Sequence, residues 1–412
     1  VAFAAFYVIL TQVQWGFTYN QGLPDGDRIF VMTMPSPQVE GKQTIFFNRP
    51  LAEQVLSSAS GVEAYGTGTF YSNVDEHFYY LKDGEIVRKV STIEQQFTKG
   101  TLSVFGFEVE QGSFDDFNRR NALAVSSKFA KDNTLKVGDF LSQSTTGEPE
   151  YGKIVAIWKD KFPENSGPGC IDMICNLADD FIDDWSETGW AYFVKLKNAD
   201  DVSSFEKSAS DIAKKLLKDK LGGGDEWDES ISEEYKITLM PFKDVYYSSE
   251  IEYKVAISLS GNRATDVSLL VVAILIILIA LINFVNFFFA LVPVRVRSVN
   301  TYKVFGTSRA TLVLDFIMES VGLVLLALMM AALIVVLLAK SPATEILNAP
   351  MDVSLNTQML IITIAVALTG AVVGSIAPAF YITSFQPALV LKGSFGTSAS
   401  GKMLRNMLIG VQ

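Results

Sequence analysis

Histidine occurs once and cysteine twice among 412 residues. With His77 alone, a Ser–His–Asp relay has one place to form, and no nucleophile turn lies near it. His77 reads as a strand or surface residue. Basic clusters interleaved with aromatics are missing, which excludes a nucleic-acid surface. A phosphate loop is missed by one residue. Gly396-Thr-Ser-Ala-Ser-Gly401-Lys402 ends on Met403, where Ser or Thr must hold magnesium, and no strand precedes it. The stretch reads as a flexible linker with a basic flank. Asp179, Asp180, Asp183 and Asp184 lack the glycine-turned spacing of a calcium loop and read as a solvated acidic face. No spacing argues for two carboxylates acting on a glycan. Catalytic residues, cofactors and metal ligands are therefore not expected in this chain.

Charge is divided unevenly. Residues 1–258 hold 25 Lys/Arg against 40 Asp/Glu, a net of −15, and residues 259–412 hold 9 against 5, a net of +4. An acidic polar block thus precedes a weakly basic apolar one. The apolar block contains 28 consecutive uncharged residues between Asp266 and Arg295. At about 1.5 Å per residue they exceed the ~30 Å of a bilayer core. Val321–Ala339 and Met359–Ile382 are two further runs of spanning length. Val1–Leu10 reads as the outer end of another helix, with no basic n-region of a signal peptide. GKMLRNMLIGVQ reads as a basic flank entering a further one, so both ends read as cut.

Lysine and arginine orient these segments. Loop 295–314 carries Arg295, Arg297, Lys303 and Arg309 and no acid. The segment after the third run carries Lys392, Lys402 and Arg405, whereas loop 340–358 has one Lys beside Glu345 and Asp352. The positive-inside rule makes the first two cytoplasmic and the third external, with block 18–258 outside as well. An oxidising exterior would permit a disulfide between Cys170 and Cys175; two partly buried thiols are the alternative.

The external block is long enough for a sizeable core. RIFVMTM (28–34) reads as a strand and NRPLAEQVLSSASG (48–61) as a helix, with Asn48 as cap and Gly61 as stop. VEAYGTGTFY reads as a strand, and HFYYLKDGEIVRKVSTI as a hairpin turning at Asp83-Gly84. NALAVSSKFA reads as a strand leading into a short helix. GKIVAIWKD (152–160) and GWAYFVKLK (189–197) read as strands. Asp200–Leu221 has one apolar face and reads as a helix ended by Gly222–Gly224. YKITLMPFKDVYY (235–247) reads as the last strand. The expectation is α+β, with 97–188 as an inserted subdomain between two strand–helix–strand parts.

Within the apolar runs, Asn283 and Asn286 are expected to hydrogen-bond to neighbouring helices, and Gly370 and Gly374 to allow close helix contact. In NTYKVFGTSRATLVLD (300–315), Gly306 breaks the chain direction, and Thr307 or Ser308 caps a helix leading to Glu319. The ordinary reading is a positive-inside anchor. The functional one is a short cytoplasmic helix that docks a partner and passes force to the membrane.

At this loop the chain resembles the permease subunits of the MacB/FtsX-like ABC transporter superfamily. The residues that carry the resemblance are INFVNFFFA (282–290), Arg295, KVFGTSR (303–309), FIMES (316–320) and FQPALVLKG (385–393). Outside, QFTKGTLSVFGFEVEQGSF (96–114), NALAVSSKFA (121–130) and YGKIVAIWKDKFPENS (151–166) resemble that family's periplasmic core domain. The resemblance covers essentially the whole chain. It implies a membrane α-helical four-helix permease unit, its first helix truncated, with a large inserted α+β periplasmic domain of two subdomains. The expected order is a partial helix 1–17, a MacB-like domain 18–258 and an FtsX-like permease domain 259–395. That permease domain would hold helices at about 267–292, 319–339 and 359–383, followed by a linker and further helix from 396–412, the start of a second half. It further implies residence in the inner membrane and a separate cytoplasmic ABC ATPase that binds the ATP. Mechanotransmission would export or extract a peptide, drug or lipid, and pairing of permease halves is implied. A periplasmic adaptor is also expected as a partner. The rival role is regulation of a periplasmic partner such as a cell-wall hydrolase, and a third reading is a membrane-anchored enzyme. The coupling loop would comprise Arg295, Arg297, Lys303, Gly306, Arg309 and Glu319. The chain departs from the family at Ser298, Asn300 and Tyr302, where a glutamate, a glycine and an arginine are frequent.

Overall fold

The structure, a computed structural model, describes residues 1–69, 76–82, 85–92, 94–143, 151–177, 181–221, 235–254 and 257–385. Asp83-Gly84, Asp179, Asp180, Gly222–Gly224, residues 386–393 and everything read into 396–412 lie outside them, as does the side chain of His77. The chain divides into two compact units, 1–17 with 263–412 and 18–262.

The larger unit is built on two sheets. The five-stranded one runs β15-β1-β14-β4, with β2 against β1, and is antiparallel. These strands are β1 (Ile29–Pro35), β2 (Gln43–Thr44), β4 (Val62–Thr67), β14 (Tyr192–Leu196) and β15 (Thr238–Pro241). Alternation along β1 and β14 decides its two faces. Phe30, Met32, Tyr192 and Val194 pack against helices α2 (Arg49–Ser58) and α5 (Val202–Leu221) through Val55, Phe205 and Ala209. Ile29, Val31 and Phe193 face the other way, onto Leu102 and Phe105 of α3 (Lys99–Phe105).

The eight-stranded sheet has the order β6-β5-β10-β11-β9-β12-β7, with β8 on β11. Its members are β5 (Glu76–Lys82), β6 (Glu85–Thr92), β7 (Glu94–Phe97), β8 (Val109–Gly112), β9 (Ala122–Ser126), β10 (Phe140–Ser142), β11 (Tyr151–Trp158) and β12 (Met173–Asn176). β11 runs parallel to β9, and β12 to β7; the other pairs are antiparallel. The β11–β9 register shifts between Ile154 and Ala156. That extra residue lets Ile154 and Ile157 share one face while Ala156 and Trp158 take the other. The first face packs on Phe129 and Ala130 of α4 (Ser127–Asp132). A short ribbon pairs β3 (Phe47–Asn48) with β13 (Thr188–Trp190).

One core joins the sheets, since Val31 and Phe193 of the first belong to the same cluster as Ala124, Trp158 and Ile174 of the second. This corrects the expected two subdomains, because the sheets share buried surface. The expected insert also begins too late. β5, β6 and β7, residues 76–97, already belong to the second sheet. The expected last strand is shorter than 235–247: β15 ends at Pro241, and residues 242–247 form a 3₁₀ turn. The candidate disulfide is not formed. Cys175 packs with Met173 on the α4 side of β12, while Cys170 sits in a turn where its thiol donates to the Ser166 carbonyl at 2.9 Å. Alternation along the strand thus turns Cys175 away from Ile174 and the central core.

The second unit contains α1 (Ala2–Phe17), α6 (Arg263–Val304), α7 (Arg309–Ala339) and α8 (Thr357–Ile382). The last three are long and apolar enough to cross a membrane. The helices are longer than the apolar runs alone predict. α6 takes in the basic stretch to Val304, and α7 begins at Arg309, so the expected loop 295–314 shrinks to residues 305–308 and no separate cytoplasmic helix forms. Lys and Arg are good helix formers, which lets both helices continue past the apolar boundary. Gln12 fastens α1 to the connection before α8: its Oε1 accepts from Asn348 and Ala349 N–H at 2.9 and 3.0 Å.

Candidate functional site

The basic residues of the helical unit converge at the α6–α7 turn. Gly306 has φ +93°, a left-handed conformation that glycine adopts at least cost, and it reverses the chain. Ser308 then caps α7, its Oγ accepting from Thr311 N–H at 3.1 Å. This brings α6 and α7 side by side, and Arg295 grips Glu319 with both terminal nitrogens while lying 5.7 Å over the Phe316 ring. Bidentate geometry and partial burial make this a stronger link than a lone surface pair.

Lys303 and Arg309 turn to the end of α8. Lys303 Nζ donates to the carbonyls of Thr383 (2.6 Å) and Phe385 (3.0 Å). Arg309 Nε donates to Thr383 Oγ1 at 3.3 Å, and its Nη2 to the Phe380 carbonyl at 3.4 Å, 5.5 Å over the Phe380 ring. The last carbonyls of a helix lack intrahelical donors and carry its negative dipole end, so two cations are favoured there. The turn is thereby pinned to α8.

The six residues expected in a coupling loop divide by role. Arg295 and Glu319 bind each other, Lys303 and Arg309 hold α8, and Gly306 shapes the turn. Arg297 is exposed and forms no ion pair among the described residues. Beside it the tip is apolar: Phe305 is 83% exposed, with Tyr302 and Val304 also open. Sequence reasoning missed this exposed aromatic, whose only signal is its place before Gly306. The sequence marks Asn300 only as a departure from the family, with no sign of its burial. That side chain is fully buried, its Nδ2 bonds the Val296 carbonyl at 2.8 Å, and its Oδ1 has no partner among the described residues.

The glycine pair works as expected in part. A Cβ on Gly374 would stand 2.9 Å from Leu281 and 3.1 Å from Phe284 of α6, while one on Gly370 would meet Leu281 at 3.8 Å. Gly374 sets the approach of α8 to α6. Asn283 departs from expectation: it is exposed, and neither it nor Asn286 bonds another helix of the unit among the described residues.

In the larger unit, a polar cleft of about 380 Å³ is lined by Arg49, Glu53, Lys99, Asn118 and Asn176. Arg49 is 1% exposed and stacks 5.7 Å over Trp190, and Tyr192 Oη donates to Glu53 at 3.0 Å. Lys99 instead pairs with Asp115 at 2.9 Å, and Asn176 donates to the Arg119 carbonyl at 3.1 Å. No group of metal-binding side chains occurs among the described residues. Burial pushes the Cys170 thiol up to about 11 and raises the neighbouring Tyr19 hydroxyl, so both stay protonated at neutral pH.

No curated protein matches the chain. Solved structures similar to it include a domain of a protein described as a permease, from Porphyromonas gingivalis. It has a TM-score of 0.40 and 20% identity, over 53% of this chain and 93% of that one. Another is the extracellular domain of the noncanonic ABC-type transporter YknZ from Gram-positive bacteria, with a TM-score of 0.32 and 16% identity over 52% and 99%. The helical unit has a match of its own: residues 270–387, which hold most of α6, all of α7 and α8 and the pinned turn between them, match the family model of the FtsX-like permease C-terminal domain.

Proposed function

We propose that this chain is a permease subunit of an ABC transporter of the mechanotransmission type. A separate cytoplasmic ATPase binds and hydrolyses the ATP, and the chain needs no cofactor of its own. The ATPase docks on the α6–α7 turn through Phe305, Tyr302 and Arg297. Movement of the turn reaches the outer domain, 18–262, which acts on a peptide, drug or lipid outside the inner membrane.

One observation carries this reading. α6 is a single helix of 42 residues, about 63 Å long at 1.5 Å per residue, from the turn to Arg263, where the outer domain's chain ends. A helix resists bending where its backbone ladder is continuous; Pro293 removes one bond of that ladder near the turn, and α6 continues helical on both sides of it. The cations at the α8 end add a second path, since the turn cannot move without drawing on Thr383 and Phe385. The match of 270–387 to the FtsX-like permease domain supports the same assignment.

The test is isolation of the tagged chain from its native membranes in mild detergent, with sequencing of what accompanies it. An ABC ATPase is expected with the unaltered chain and is expected to be lost from Phe305→Asp. Absence of any ATPase from the unaltered chain removes the transporter reading. Undiminished capture by Phe305→Asp removes this turn as the docking point.

A further inference from the structure

Near the pinned turn, α6 and α7 are joined by aromatic rings. Phe288 packs on Phe316 with centroids 5.0 Å apart, and Phe284 on Phe288 at 4.8 Å. Beyond these rings a crevice of about 330 Å³ opens between α6 and α7, backed by α8. Small side chains make the room: Ala280 on α6, Ala327 on α7, and Ala367 and Gly370 on α8. A Cβ on Gly370 would meet Leu281 alone within 4 Å, at 3.8 Å, so the space before it is open. The described residues that line the crevice are all apolar. Ala367 at its back is buried, whereas Phe287 and Leu323 at its rim are 52% and 40% exposed. The crevice is therefore closed behind and open at the side.

Depth decides what meets that opening. The uncharged run 267–294 of α6 is centred between residues 280 and 281, and the run 320–339 of α7 between 329 and 330. At 1.5 Å per residue, Phe287 and Leu323 both lie about 10 Å from the membrane midplane, on the side of the turn. Ile277, at the far end, lies about 5 Å beyond the midplane. The whole crevice thus falls within the ~30 Å hydrocarbon core, and its rim faces the tails of the leaflet on the turn side. An apolar protein cavity of about 150 Å³ already stays dry and takes up apolar guests.

Shape narrows the guest further. From Ile277 to Phe287 is about 15 Å along α6. Spread over that length, 330 Å³ leaves a cross-section of about 22 Å². A helix, about 10 Å or more across, does not fit. An extended hydrocarbon chain, touching its neighbours at about 4.0–4.5 Å, takes about 20 Å² and does.

We propose that the crevice holds one acyl chain of a bilayer phospholipid. The chain enters from the turn-side leaflet between Phe287 and Leu323 and reaches the midplane at Ala280. It is a resident part of the helical unit and fills a gap that side chains leave between α6 and α7. The proposal rests on these helices crossing a membrane, and it depends neither on a docked ATPase nor on what the outer domain acts upon.

The experiment places the full chain in phosphatidylcholine vesicles that contain a small share of a photoactivatable phosphatidylcholine. One probe carries a diazirine near the carboxyl end of an acyl chain, the other near the methyl end. Labelled residues are located by peptide mass spectrometry after illumination. The first probe should mark Phe287 and Leu323 and the second Ala280 and Ala327. Both should do so more strongly than at Leu325 and Leu326, which are 47% and 55% exposed on the outside of α7 at similar depth. Gly370→Leu and, separately, Ala327→Leu fill the crevice. Each should lower the labelling of Ala280 about fivefold or more, since close packing leaves no room for a second occupant. Labelling of Leu326 should not change, and the filled variants should keep their resistance to denaturing detergent. Equal labelling of the crevice and of Leu325 and Leu326, a reversed order of the two probes, undiminished labelling of Ala280 in both filled variants, or loss of detergent resistance in both would each overturn the proposal.

Discussion

The outer unit and the helical unit use apolar side chains in opposite ways. Phe97, Phe105, Trp158 and Phe193 of the outer unit are at most 1% exposed. In α6, only 6% of the most apolar stretch is buried within the unit, against 33% in α8. Water forces the first arrangement, because exposed apolar area is costly there. In a bilayer the outward apolar faces are already solvated, and contacts inside must come from fit and polar bonds. The outer unit is thus held by volume, and the helical unit by small residues, by the Arg295–Glu319 ion pair and by the bonds of Lys303 and Arg309 to the end of α8.

The largest test of this contrast is Trp158→Ala. Trp158 makes an edge-on contact with Phe107, centroids 5.4 Å apart, inside the core that unites the two sheets. Its removal should destabilise the outer unit by about 3–5 kcal/mol, through lost transfer energy and a cavity. Thermal unfolding followed by proteolysis of the outer unit reads this directly. Gly374→Leu should cost less, about 1–3 kcal/mol, because lipid-solvated helices can part to admit a side chain against Leu281 and Phe284. Its measure is resistance of the helical unit to denaturing detergent. If Gly374→Leu proved the costlier change, the contrast between volume and fit would fail.

Legibility in the sequence followed the same division. Elements with local signals were readable: the Ile29–Pro35 strand, the hairpin of β5 and β6, and the amphipathic α5. The three long helices declared themselves by composition. What escaped depended on partners distant in sequence. Nothing local states that residues 76–97 join the second sheet, or that Lys303 meets Thr383, 80 residues away. Charge placed Lys303 and Arg309 on the correct turn, but only the returning end of α8 turned them from a surface into a clamp. Asn283 shows the converse. Its polarity was visible, and its exposure became evident only when the other three helices were seen to pack elsewhere.

The smallest effect belongs to a cap, where both units follow the same local rule. Asn48 sits at φ −76°, ψ 145° before Arg49-Pro50, and its Oδ1 accepts from Leu51 N–H at 2.9 Å. Pro50 supplies no hydrogen at a position where none is needed, so the first turn of α2 leaves few donors unmatched. Ser308 does the same for α7 with a hydroxyl. Asn48→Ala should cost about 1 kcal/mol and lower the outer unit's melting temperature by a few degrees, and Asn48→Ser should restore most of it. The local role predicts that Asn48→Ala leaves the helical unit's detergent resistance unchanged. A loss there as large as that in the outer unit would mean that the two units unfold together, and the comparison between them would no longer hold.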